Sequence, residues 1–416
     1  MALSTEYSMT LKPAIAKRQR KLRVLFVFGI VLTAIQQMPL IRDLAYNEIR
    51  QLLYIVFGLV AYLSLRRSLS TSLPRFIKLF LIVILLSTAE MLLFQLLGWR
   101  SSLSRITELL VPFGILVSSY SLDFDQDSID KLLMVYSSLA VLMGVLLVLY
   151  YGGGFFLREQ YIAGTSKNQT GPILGIASVI LFDRLVRNRI SRSYKRLEVF
   201  VTILLLIGAI SALVVLRNRA GLFGVLLVFA LIILSKLRRS FTLLLLIILL
   251  IVVILLSILF LAGYLDPFLG IIIDAFTMNY DITDLNSLSA GRISTYLEAL
   301  RFVSQYPFFG ELVSGEVFFG TAHNYVLNKW VSLGVVGSLP FVVLYAYLFA
   351  IAFRMLFNKR RNDSAQTALW ILLLGLTISM FEYTYPYGPG VSQVMVWFCL
   401  GAFLYSENQN MRWERH

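Results

Sequence analysis

Apart from His416 at the end of the chain, His323 is the only histidine, and it stands in Thr321-Ala322-His323-Asn324-Tyr325. A neutral imidazole in that setting can orient a hydroxyl or take its proton, and the Asn324 amide adds a donor and an acceptor for a polar ligand. By itself such a histidine is equally a hydrogen-bonding loop residue. Arg217-Asn218-Arg219-Ala220-Gly221 lies in a tight turn between two apolar runs. Two guanidiniums at a helix start, where unpaired N–H groups already favour an anion, suit a phosphate; the alternative is a hairpin capped at headgroup level. Arg292 could face the same place as His323, or simply decorate a solvated helix face. Lys167-Asn168-Gln169-Thr170-Gly171-Pro172 offers donors and acceptors at a further helix start, or only a cap and a turn. Arg158 and Arg301 complete the set of candidate substrate contacts. Glu90 and Asp183 are carboxylates in or near apolar runs, and Asp183 has Arg184 and Arg187 beside it for local pairing.

Other chemistries have no residues to support them. The chain has no phosphate-binding loop of the nucleotide-hydrolase kind and no dinucleotide fingerprint after a strand. One cysteine and two histidines cannot build a zinc site of the usual kind, so neither a metal nor a cofactor is expected. Cys399 has no partner for an intrachain disulfide. A reaction run by arginines and one imidazole needs a substrate that arrives already activated.

These residues must be positioned by a membrane protein. Of the 416 residues, 58% are hydrophobic and only 14% charged, with a mean hydropathy of +0.79. Soluble domains carry about 25% charged residues to wet their surface, so a cytosolic enzyme, a secreted disulfide scaffold and a soluble DNA-binding domain are excluded. The net charge of +14 reads as a topology signal rather than as a nucleic-acid surface. Spans need about 20 mostly apolar residues, and twelve candidates emerge: 24–41, 49–65, 76–97, 106–122, 132–151, 169–186, 198–216, 220–235, 241–263, 325–353, 366–385 and 391–406. Placing both termini in the cytoplasm puts most Lys and Arg inside, including the clusters at 187–196 and 359–361. The basic start runs into the first span without a small-residue cleavage site, which reads as a retained helix.

The expected fold is therefore an all-α polytopic membrane protein of about twelve transmembrane helices with a large periplasmic loop. Its parts are a basic cytoplasmic arm (1–23), nine spans (24–263), the loop (264–324), three spans (325–406) and a cytoplasmic tail (407–416). Loops this long are usually functional or disordered, and this one is rich in Phe, Tyr, Ile and Leu. Within it, 291–306 predicts an amphipathic helix, with Ile293, Leu297, Leu300 and Val303 or Ser304 on the apolar face. Ser289 is its expected N-cap and Pro307 its stop.

Several of these patterns occur together in a known superfamily. Ala290-Gly291-Arg292, Ala299-Leu300 and Tyr306-Pro307-Phe308-Phe309-Gly310 resemble the outer-loop pattern of the O-antigen ligases and O-antigen (Wzy-type) polymerases. His323-Asn324, followed after nine residues by Gly334-Val335-Val336-Gly337, is similar to the ligase motif, and Arg217 and Arg219 fall where the superfamily places an arginine. The resemblance covers roughly 165–345 by motif. It implies glycosyl transfer on the periplasmic face of the bacterial inner membrane, from an undecaprenyl-diphosphate-linked glycan donor, with no cofactor. Arg217, Arg219 and Arg292 would then meet the diphosphate, His323 would orient or deprotonate the acceptor hydroxyl, and Asn324, Lys167, Asn168, Arg301 and Arg158 would contact substrate.

The acceptor separates the two activities. A ligase uses lipid A-core and a polymerase uses another lipid-linked repeat unit, and the complete His-Asn/Gly-x-x-Gly spacing favours the ligase. Partners implied are these lipids, the surrounding membrane and a chain-length regulator or flippase, with no nucleic acid. A lipid-glycan or solute transporter is the reading from a different class, but transporters tend to hold charges near the midplane, whereas here they cluster at the outer ends of the spans.

Overall fold

A computed structural model of the chain describes residues 2–68, 73–98, 104–157, 167–191, 196–216, 218–236, 286, 291–314, 318, 320–357, 363–387 and 393–413. Among them every regular element is helical: α1 (Ala2–Ile35), α2 (Pro39–Ser68), α3 (Arg75–Leu96), α4 (Ser104–Ser121), α5 (Gln126–Leu157), α6 (Lys167–Ser191), α7 (Arg196–Val215), α8 (Arg219–Lys236), α9 (Arg292–Gln305), α10 (Glu311–Ser314), α11 (Tyr325–Phe357), α12 (Asp363–Ser379) and α13 (Val394–Trp413). Among the described residues six helices, α2, α3, α5, α6, α7 and α11, are long and apolar enough to cross a membrane, and α4, α8 and α12 are apolar but shorter. Twelve full spans are therefore not shown among the described residues. The run 241–263 lies outside the described residues. α1 runs through the basic arm and on into the first apolar run without interruption.

The bundle's apolar surface points both ways. Phe26, Phe80, Tyr136, Trp370 and Trp397 are buried at its centre, while Ile55, Leu85, Leu149, Leu204 and Phe353 point outward and stay exposed. A water-facing protein rarely leaves so much large apolar surface uncovered; a lipid-facing helix must. The chain is thus a helical protein of membrane character.

Polar contacts mark the two ends of the bundle. At one, Arg23 Nε donates to the Leu122 carbonyl at 2.5 Å, Asn408 donates to the Tyr120 hydroxyl, and Arg354 pairs with Glu407. Asp183, fully buried, pairs with Arg187 at 3.1 Å and accepts from Thr367 Oγ1 at 2.7 Å. Arg187 is one turn along the same helix, and Thr367 ties α6 to α12. The other end gathers the start of α6, the α7–α8 turn, α9, α10, the start of α11 and the turn after α12, and it carries His323.

Two glycines decide how that second end is built. α11 is two helices joined at Gly334, whose φ of 64° and ψ of −174° belong to glycine. The break frees two N–H groups, and Val335 and Val336 donate them to the carbonyls of Pro307 and Phe308 at 2.8 and 3.1 Å. A Cβ on Gly334 would overlap the Phe308–Phe309 peptide, and one on Gly310 (φ 55°) would overlap the Val331 carbonyl. The Tyr306–Gly310 turn is therefore clasped into the break in α11.

Candidate functional site

α9 begins at Arg292, with Gly291 at the N-cap in a left-handed conformation (φ 77°). Ser289 lies outside the described residues; the side chain that serves the helix start is Asn286, whose Oδ1 accepts from the Ser294 N–H at 2.9 Å. The buried face of α9 is also not the one expected. Ala299 and Phe302 pack with Val303 and Tyr306 against Ala322, Leu327, Val331 and Phe318, whereas Ile293, Leu297 and Leu300 are exposed. The reason is that α9 docks on α11, and small Ala299 permits the close approach that a leucine would block. Docking by this face aims the start of α9 at the turn following α12.

That turn holds Glu382, a carboxylate only 4% exposed. Arg292 Nη2 lies 3.3 Å from Glu382 Oε1, and His323 Nδ1 lies 3.9 Å from Glu382 Oε2. One buried acid thus stands between the two residues singled out most strongly by sequence. The surrounding contacts fix the backbone: the Tyr296 hydroxyl donates to the His323 carbonyl at 2.8 Å, and Asn324 Nδ2 donates to the Met380 carbonyl at 3.4 Å. Asn324 also caps α11, accepting the Leu327 N–H at 3.1 Å. Burial pushes the Tyr296 phenol above its ordinary range, with Arg292 opposing and Glu382 adding to the shift. It stays protonated, and so remains a donor, through neutral pH. The Tyr383 ring closes one side of the imidazole at 6.3 Å.

Beyond Glu382 the turn is anchored from below. The Tyr345 and Ser379 hydroxyls share a 2.5 Å hydrogen bond, and Trp397 Nε1 donates to the Pro386 carbonyl at 2.9 Å. Below His323, Lys329 and Glu108 form a buried pair at 2.5 Å, with the ammonium over the Phe341 and Tyr325 rings. Lys329 is therefore occupied in joining α11 to α4.

The remaining candidates divide. Asn218 caps α8, accepting the Gly221 N–H at 2.6 Å, and it packs so closely on Gly171 that a Cβ there would strike it. This joins the α7–α8 turn to the start of α6, where Lys167 and Asn168 form the first residues of the helix. Arg219 is exposed and one helical turn from Phe223, whose ring packs on Phe381 next to Glu382. It thus shares the end, and the helix face, of the acid turn. Arg301 is exposed and about half a turn around α9 from Arg292, at about 100° per residue, so it points away from Glu382. Arg217 and Arg158 lie outside the described residues.

Glu382 was hidden by the expected eleventh span, 366–385, which swallowed it as an apolar-run residue. The helix stops at Ser379. A signal was present: a carboxylate in Met380-Phe381-Glu382-Tyr383, at the end of the bundle with surplus arginines, has an obvious counter-ion. Among the described residues no group of three His, Cys, Asp or Glu side chains could hold a metal ion. Chemically, the arrangement offers a guanidinium with donors left over after Glu382, beside a half-buried imidazole, at one end of an apolar bundle. No protein-family model and no curated protein matches the chain.

Proposed function

We propose that this chain is a glycosyltransferase that moves a glycan from undecaprenyl diphosphate to an acceptor hydroxyl, acting as an O-antigen ligase that joins O-antigen polysaccharide to lipid A-core. In this reading the bundle spans the bacterial inner membrane about twelve times with both termini cytoplasmic, and the 264–324 loop and His323 face the periplasm. What carries the proposal is the convergence of Arg292 and His323 on Glu382 at one end of an apolar helical bundle.

The donor's diphosphate is its own leaving group. The acceptor oxygen attacks the anomeric carbon while His323 takes its proton, and the bond from that carbon to the diphosphate oxygen breaks. One displacement inverts the anomeric centre. Arg292, with Arg217 or Arg219, meets the charge that grows on the departing diphosphate. Holding both substrates at the height of this site supplies the rest.

The test is a plasmid rescue in a host that makes lipid-linked O-antigen but lacks its own ligase. Wild type is compared with His323→Ala and Arg292→Ala at matched membrane levels, and lipopolysaccharide is read on gels. The expected result is capped lipopolysaccharide from wild type alone, since losing general-base help costs about 10²–10⁴-fold. Rescue instead of a strain deleted for its polymerase would reassign the acceptor to a lipid-linked repeat unit. Full rescue by His323→Ala in either strain would sink the mechanism, and movement of substrate across liposomes without transfer would make the chain a transporter.

A further inference from the structure

Glu382 is a buried acid, and burying a carboxylate is costly unless each oxygen is met. Its two oxygens face two different residues of the site. Oε1 accepts from Arg292, and Oε2 faces His323 Nδ1 at 3.9 Å. That nitrogen is buried and makes no hydrogen bond. The separation is longer than a hydrogen bond, and a small rotation of the ring closes it. The backbone does not have to move, because Tyr296 and Asn324 already tie the carbonyl and side chain of this corner to α9 and to Met380.

The chemistry of the pair is one-sided. An ionised carboxylate accepts and never donates, so the nitrogen facing it must carry the proton. The neutral imidazole then bears its lone pair on Nε2, and with Nδ1 buried in a side chain that is 30% exposed, Nε2 is the nitrogen left for a ligand. We infer that Glu382 is the positioning residue of this site: it holds His323 in the Nδ1–H tautomer, leaving Nε2 to receive the acceptor's proton, and fixes Arg292 with its other oxygen. The role of Nε2 rests on the proposed glycosyl transfer; the tautomer does not.

The substitution that separates positioning from shape is Glu382→Gln. It keeps the volume and can keep an oxygen towards Arg292, but it turns an N–H towards His323 and so favours the opposite tautomer. A comparable exchange of acid for amide behind a catalytic histidine costs about 10⁴ in kcat in a serine protease. With purified protein and lipid-linked donor, Glu382→Gln is expected to lower kcat by about 10²–10⁴-fold while donor KM moves less than about threefold. Glu382→Asp should restore part of kcat. In a His323→Ala background the Glu382→Gln change should cost no more than about twofold, because its effect runs through the imidazole.

A second measurement does not depend on activity. With only two histidines in the chain, a His416→Gln protein carrying a non-histidine tag leaves a single imidazole for ¹⁵N NMR. At alkaline pH wild type should show Nδ1 protonated and Nε2 bare, and Glu382→Gln should shift the ring towards the reverse. Bare Nδ1 in the Glu382 protein would overturn the inference, as would an undiminished cost of Glu382→Gln in the His323→Ala background. If the protein transfers no glycan, the proposed reaction fails while the tautomer result still stands or falls by itself.

Discussion

Lys329 and Glu108 are each buried, and each depends on the other. An ammonium and a carboxylate taken from water lose solvation that their mutual attraction only just recovers, so removing one partner is far worse than removing both. Lys329→Met is expected to destabilise the protein by roughly 3–5 kcal/mol, read as a lowered apparent melting temperature in detergent. Lys329→Met combined with Glu108→Leu should recover most of that loss. If the double variant is as unstable as the single, the pair does more than join α11 to α4. Arg292 is a different case: a guanidinium has five donors, and only one is directed at Glu382, so the pairing that holds it in place leaves donors for an anion.

At the scale of elements, the joint between the Tyr306–Gly310 turn and the Gly334 break fixes the turn after α9 against α11, whose first residues follow His323. Both glycines adopt positive φ, and at both a methyl group would enter backbone atoms of the other element. Gly334→Ala or Gly310→Ala should therefore disrupt the joint, with backbone strain alone of order 1–3 kcal/mol each and steric overlap added to it. The check is a melting curve together with rescue: a loss of transfer with unchanged melting would show that the joint serves the site and not the fold. Residues on both sides of this joint were legible in sequence as two separate patterns, Tyr-Pro-Phe-Phe-Gly and Gly-Val-Val-Gly. Their partnership was not, because a hydrogen bond between the Pro307 carbonyl and the Val335 N–H leaves no trace in spacing. The same holds for α9. Its period predicts a helix over 291–306 and one forms over Arg292–Gln305, but period alone cannot say whether Leu297 or Ala299 faces a neighbour when a membrane is present to welcome leucine. Glu382 escaped for a third reason: hydropathy averages over a window, and one acid at the end of an apolar run is diluted by its neighbours.

For the whole molecule, the consequence of a bundle with two chemically different ends is that they should be reachable from different sides of a membrane. Cys399 is buried and is the sole cysteine, so engineered thiols can report without much background. Under the proposed orientation, Arg301→Cys on α9 should react with an impermeant maleimide in intact cells whose outer membrane is permeabilised. Lys131→Cys, exposed near the start of α5, should react only after the inner membrane is opened. Labelling of both from the same side would contradict a through-membrane bundle.

α11 also has a length to explain. At about 1.5 Å per residue its 33 residues, if straight, would measure about 50 Å against a hydrocarbon layer of about 30 Å. A rod of that size would lift its first residues far above the lipid. The interruption at Gly334 leaves a lower portion of about 35 Å, by the same rise, to match the layer, and turns the upper portion aside where Phe308 and Phe309 receive it. With the bundle in a membrane as proposed, His323 would thereby sit close to the lipid surface instead of standing out in the water. Under the proposed transfer, a glycan whose anchor stays in the bilayer would have its first sugar met at about that depth.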